Sequence, residues 1–68
     1  MTFASGNLQA VRHYLKLKGM TAKYIKDLSV VTKEDTLYII GREGTRNSDI
    51  FYEARRLKSQ GYNISFEL

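Results

Sequence analysis

The chain has 68 residues, of which 43% are hydrophobic and 26% charged, a composition that belongs to one folded domain and excludes a disordered tail. It has no cysteine and one histidine, so disulfides, thiolate metal sites and histidine clusters are excluded. The formal net charge of +4 turns attention to anionic partners. A domain of this size buries only about 60% of its unfolded surface and holds a margin of roughly 3–5 kcal/mol, so binding or self-association would help it. No window approaches the length of apolar sequence that spans a bilayer. Met1 to Ala4 lacks the regions of a signal peptide, and a cytoplasmic location is the expectation.

Residues 1–6 are small and polar apart from Phe3 and read as a flexible arm of the single domain 1–68. From Asn7 to Lys18, Leu8, Val11 and Leu15 fall at helical spacing with Tyr14 beside them, and Gly19 supplies a stop. Met20 to Ile25 fits either a short helical turn or an extended lead-in. From Lys26 onward Leu28, Val30 and Thr32 alternate with Asp27, Ser29 and Val31; Lys33-Glu34-Asp35 reads as a turn, and Thr36 reopens a strand. The expectation is a β-hairpin over residues 26–40.

Leu37-Tyr38-Ile39-Ile40 is a β-branched and aromatic run that stops at Gly41. Asn47, Ser48 and Asp49 suit a helix start, and Ile50, Phe51, Ala54 and Leu57 make one apolar helical face. Gly61 fits the left-handed position that ends such a helix. Ile64, Phe66 and Leu68 then alternate with Asn63, Ser65 and Glu67, as a half-buried strand does. The predicted fold is α+β: a two-layer sandwich of order α-β-β-α-β, its three-stranded sheet carrying both helices on one face.

Charge is unevenly distributed. Before Asp27, the first acid, stand Arg12, Lys16, Lys18, Lys23 and Lys26; the rest of the chain holds six basic and seven acidic residues. Cations so concentrated attract polyanions and release counterions on binding phosphates. Phe3, Tyr14 and Tyr24 lie among them and could stack on the bases of a single strand. The alternative is that the tyrosines pack in the core and the lysines solvate a helix.

Gly41-Arg42-Glu43-Gly44-Thr45-Arg46 leads into a helix N-terminus, where free amides with Arg42 and Arg46 would meet an anion. No Lys-Ser or Lys-Thr follows at P-loop spacing, and the three glycines of a dinucleotide fingerprint are missing. Ile39-Ile40-Gly41-Arg42-Glu43-Gly44 resembles the hydrophobic-Gly-x-x-Gly loop of KH domains, which clamps a single-stranded backbone. A KH loop joins two helices, whereas a strand precedes this one, and the chain is not assigned to that family. A plain β-to-α turn is the competing reading.

Nothing marks an enzyme. His13 sits on the outer side of a predicted helix, Glu34 and Asp35 lie in a predicted turn, and no pair suits acid-base work. No cofactor and no metal are expected. The strand at Leu37–Ile40 is apolar on both sides, so two helices on one face would leave Tyr38, Ile40 and Val31 on an uncovered face that fits a partner or a homodimer. The first functional reading is a non-enzymatic nucleic-acid-binding accessory protein of low sequence selectivity, contacting phosphates through Arg12, Lys16, Lys18, Lys23, Lys26, Arg42 and Arg46. The alternative is an inhibitor or regulator of the kind phages and mobile elements encode, docking on a larger host protein.

Overall fold

The computed structural model describes residues 1–41 and 49–67. Two helices and one sheet are present, as expected, but the sheet has four strands, all parallel. In chain order come β1 (Thr2–Gly6), α1 (Leu8–Lys18), β2 (Lys23–Tyr24), a 3-10 turn (Leu28–Val30), β3 (Thr36–Ile40), α2 (Asp49–Ser59) and β4 (Asn63–Glu67). The strands lie side by side in the order β2-β1-β3-β4.

Residues 1–6 are therefore no arm. Thr2–Gly6 forms a central strand, paired with β2 on one side and along its whole length with β3 on the other. Its small residues hid it, and the same small residues explain its place. Ala4 and Ser5 are fully buried, and a side chain larger than Ala4 would hold α1 away from the sheet.

The two helices pack on opposite faces, not on one. Phe3, Leu37 and Ile64 are in register and join Phe51, Ala54 and Leu57 of α2 in the larger core cluster. Ala4 and Ile40 join Val11 of α1 in a smaller cluster on the other side, with Tyr14, Leu15, Tyr24 and Tyr38 packed against it. The strand order explains the arrangement: β1 to β2 moves one way across the sheet, β3 to β4 moves the other, and right-handed crossovers in opposite directions carry their helices to opposite faces.

The hairpin over 26–40 is replaced by a crossover. A parallel β2 and β3 on either side of β1 need a long connection, and Ile25, Leu28 and Val31 anchor it in the larger core. These three are spaced by three, the period of a 3-10 turn, and it is this spacing, not the alternation of Leu28, Val30 and Thr32, that marks the buried side. Asp27 caps the turn by accepting from the Ser29 amide at 3.0 Å.

Asp35 closes the connection. Its carboxylate accepts from the Met1 amino group at 2.6 Å, the Thr32 amide at 2.9 Å and the Thr32 hydroxyl at 3.0 Å. These bonds, that from the amino group first, hold its pKa below the ordinary aspartate range, and the Ser29 amide does the same for Asp27. A pKa depressed in the folded state contributes stability that is complete above the unfolded value of about 4 and is lost as pH falls through the folded one. Asp35→Asn is expected to flatten this acid limb, leaving Tm less sensitive to pH below about 4 than in the parent. Thermal unfolding followed by circular dichroism between neutral and acidic pH checks it; an unchanged acid limb would count against the role given to Asp35.

Candidate functional site

The helix that carries the cations is well delimited. Asn7 caps it, its side chain accepting from the Ala10 amide at 3.1 Å, and Gly19 in the left-handed region ends it with N–H contacts to the Leu15 and Lys16 carbonyls. Val11 faces the sheet. One flank, with Ala10, His13, Tyr14 and Leu17, lines a groove of about 340 Å³ completed by Gln9, Ile40, Gly41 and Glu67. That flank looks toward β3 and β4. Leu15, Ala22 and Tyr24 pack against the same small cluster, while Arg12 and Lys16 are exposed one turn apart, Lys16 beside His13 and Leu17.

Lys23 lies in β2 and Lys26 just beyond its end, both exposed. Register with Phe3 puts Lys23 on the α2 face of this edge strand, while Arg12 and Lys16 belong to the helix on the other face. Four of the five N-terminal cations thus divide between the exposed side of α1 and the edge strand β2. Lys18 departs from them, its ammonium 5.8 Å from the Tyr14 ring centroid. Among the described residues the ion pair found is that of the Met1 amino group with Asp35, so no described carboxylate neutralises the four. Arg42 and Arg46, with the Gly-Arg loop they belong to, lie outside the described residues.

The three aromatics expected near the cations divide. Phe3 is buried against α2. Tyr24 turns inward and donates to the Gly6 carbonyl at 3.0 Å, a structural use that removes it from stacking. Tyr14 stays half-buried at the groove, 6.3 Å from the Tyr38 ring. Desolvation, then the negative charge of Glu67, raises its hydroxyl pKa, so it remains a neutral donor over the whole physiological range.

The premise of an uncovered sheet face does not hold, because each face carries a helix. Val31 is buried on the α2 face and Ile40 on the α1 face. Tyr38 is half-buried, and what remains open beside it is the β4 half of the α1 face, where Ser65 donates to Glu67 at 2.9 Å. Leu17, on the rim of the groove, is 71% exposed. His13 is exposed, and no group of three or more potential metal ligands occurs among the described residues. Nor is any described helix long and apolar enough to cross a membrane.

Comparison with protein-family models, with curated proteins and with solved structures finds no match. Function has to be argued from the geometry alone.

Sequence reasoning missed one residue here. β1 and β3 are neighbours whose connections leave in opposite directions, and in parallel sheets the crevice beyond the carboxyl ends at such a point is where ligands bind. Ser5, near the end of β1, is fully buried and its Oγ has no hydrogen-bond partner among the described residues. An unsatisfied buried hydroxyl costs about 1–3 kcal/mol. Ser5→Ala is therefore expected to raise stability by about 1 kcal/mol, read as an upward shift of Tm; a drop of that size would show that the hydroxyl is satisfied in solution. A serine in a segment read as an arm carried no signal of burial.

Proposed function

We propose that the protein is a non-enzymatic nucleic-acid-binding accessory module that holds phosphates through its exposed N-terminal cations. Arg12, Lys16, Lys23 and Lys26 are all exposed and none is ion-paired with a described carboxylate, and that observation carries the proposal. Contacts of this kind go to the phosphate backbone, which positions a strand without reading its sequence, so selectivity is low. The carboxyl ends of β1 and β3 offer a second contact, where α1 directs its positive dipole end. No catalytic step belongs to this proposal, and the cytoplasm is the compartment in which it would act.

Anisotropy titrations of labelled single-stranded RNA, single-stranded DNA and duplex, each at two salt concentrations, test it. Four neutralised phosphates give a salt slope of about −3 for a single strand, so a fourfold rise in salt should weaken binding about fiftyfold. Reversing Arg12, Lys16 and Lys23 to glutamate should remove the binding while the domain stays folded, since all three are exposed. Micromolar protein that shifts none of the three nucleic acids at low salt would end the proposal.

The alternative, docking on a larger host protein, draws support from the groove between α1 and β4 and from Leu17 exposed on its rim. It predicts that a nuclease-treated lysate still yields one stoichiometric partner.

A further inference from the structure

The sheet has two edges, and they are protected unequally. β2 is two residues long and bears Lys23, the short, charged form that discourages further pairing. At the other edge β4 runs for five residues with no proline and no lysine, Glu67 being its one charge. The Gly41 amide donates to the Glu67 carbonyl at 3.1 Å, so Glu67 turns its backbone groups toward β3. Along a strand these directions alternate. Asn63 and Ser65 therefore face β3 as well, while Ile64 and Phe66 direct N–H and C=O outward, where the strand order places no neighbour.

Cations stand beside the aromatic pair that joins α2 to this strand. The Phe51 and Phe66 ring centroids are 4.9 Å apart; the Lys58 ammonium is 5.3 Å from the Phe66 ring and the Arg55 guanidinium 5.8 Å from the Phe51 ring. No described carboxylate pairs with either cation. A second copy is a poor occupant. Two β4 strands related by a twofold axis would set Arg55 and Lys58 of both α2 helices toward each other, while the acid of the edge, Glu67, lies on the opposite face. The free strand asks for an extended chain, and the cations beside it ask for acidic side chains on one face of that chain.

We propose that the outer edge of β4 accepts an extended acidic peptide segment of a partner protein as a fifth strand. Its backbone bonds to Ile64 and Phe66, and alternate acidic side chains meet Arg55 and Lys58 on the α2 face. The side chains between them, which share a face with Ser65 and Glu67, are uncharged or basic.

The probe is a short end-blocked peptide of alternating glutamate and threonine, titrated into labelled protein with amide exchange read residue by residue. The Ile64 and Phe66 amides should slow while Ser65 and Glu67, already paired with β3, stay unchanged. The same peptide N-methylated at alternate residues, on the edge that would face β4, should bind at least about tenfold more weakly, since it keeps its charge and loses its donors. Lys58→Glu should weaken the unmodified peptide by a similar factor. Equal binding of the methylated peptide, or no slowing at Ile64 and Phe66, overturns the proposal. So does slowing of those amides with protein concentration alone, which would make the edge a self-association surface, or by oligothymidylate in place of the peptide, which would give it to nucleic acid.

Discussion

A chain lacking residues 1–6 should show no cooperative unfolding transition. β1 is the strand through which the two halves of the sheet are joined: β2 has no other partner, and β3 keeps only β4 without it. Phe3, Ala4 and Ser5 are 5%, 0% and 0% exposed, so the deletion also opens both core clusters at once. Burying a phenylalanine is worth about 3–5 kcal/mol when measured by its removal, and the whole stability of a domain this size is of the same order. Thermal and urea scans of the truncated chain, followed by far-ultraviolet circular dichroism, are expected to give sloping lines without a midpoint. A midpoint close to that of the parent would restore the reading of this segment as a dispensable arm.

That segment marks where the sequence stops being legible. α1, β3, α2 and β4 were readable because each follows a strong local rule: the spacing of Leu8, Val11 and Leu15 with a stop at Gly19, a β-branched run, an apolar helical stripe, and a two-residue alternation. β1 follows none of them. A strand covered by helices on both faces has no polar side to alternate with, and here the close approach of α1 selects Ala4 and that of the Ile40 carbonyl selects Gly6, residues that elsewhere mark a loop. Once β1 was lost, the parallel sheet was lost with it. Residues 26–40 then had no reason to cross β1 and were folded back on themselves as a hairpin.

The excess of cations was more legible than the fold, because net charge is counted before any topology is known. Their placement was not. Lys18 follows Lys16 by two residues and so leaves the helix on another side, where the Tyr14 ring receives it. Lys23 and Lys26 come to an edge of the sheet because β2 is the outermost strand, a fact of strand order that no local pattern carries. The same holds for the free edge of β4 and for Ser5, whose significance depends on neighbours distant in sequence.

Gly6→Ala is expected to prevent folding, although it adds a single methyl group. Gly6 has φ of +117°, a region that side-chain-bearing residues rarely adopt, and a Cβ placed there would stand 2.1 Å from the Ile40 carbonyl oxygen. That oxygen is backbone and already accepts from the Asn7 amide at 3.1 Å, so it has no room to retreat without parting β1 from β3. Either response costs several kcal/mol, roughly the entire margin of a domain of this size. Gly19 and Gly61 provide the control. Both have positive φ, +63° and +97°, but a Cβ at either meets nothing within 4 Å. Alanine at these positions should cost only the conformational term, about 1–2 kcal/mol, and leave a folded protein with a lowered Tm. If Gly6→Ala unfolds with a midpoint no lower than Gly61→Ala, the close approach of β1 to β3 at their carboxyl ends is absent in solution. The crevice assigned to that end of the sheet would then go with it.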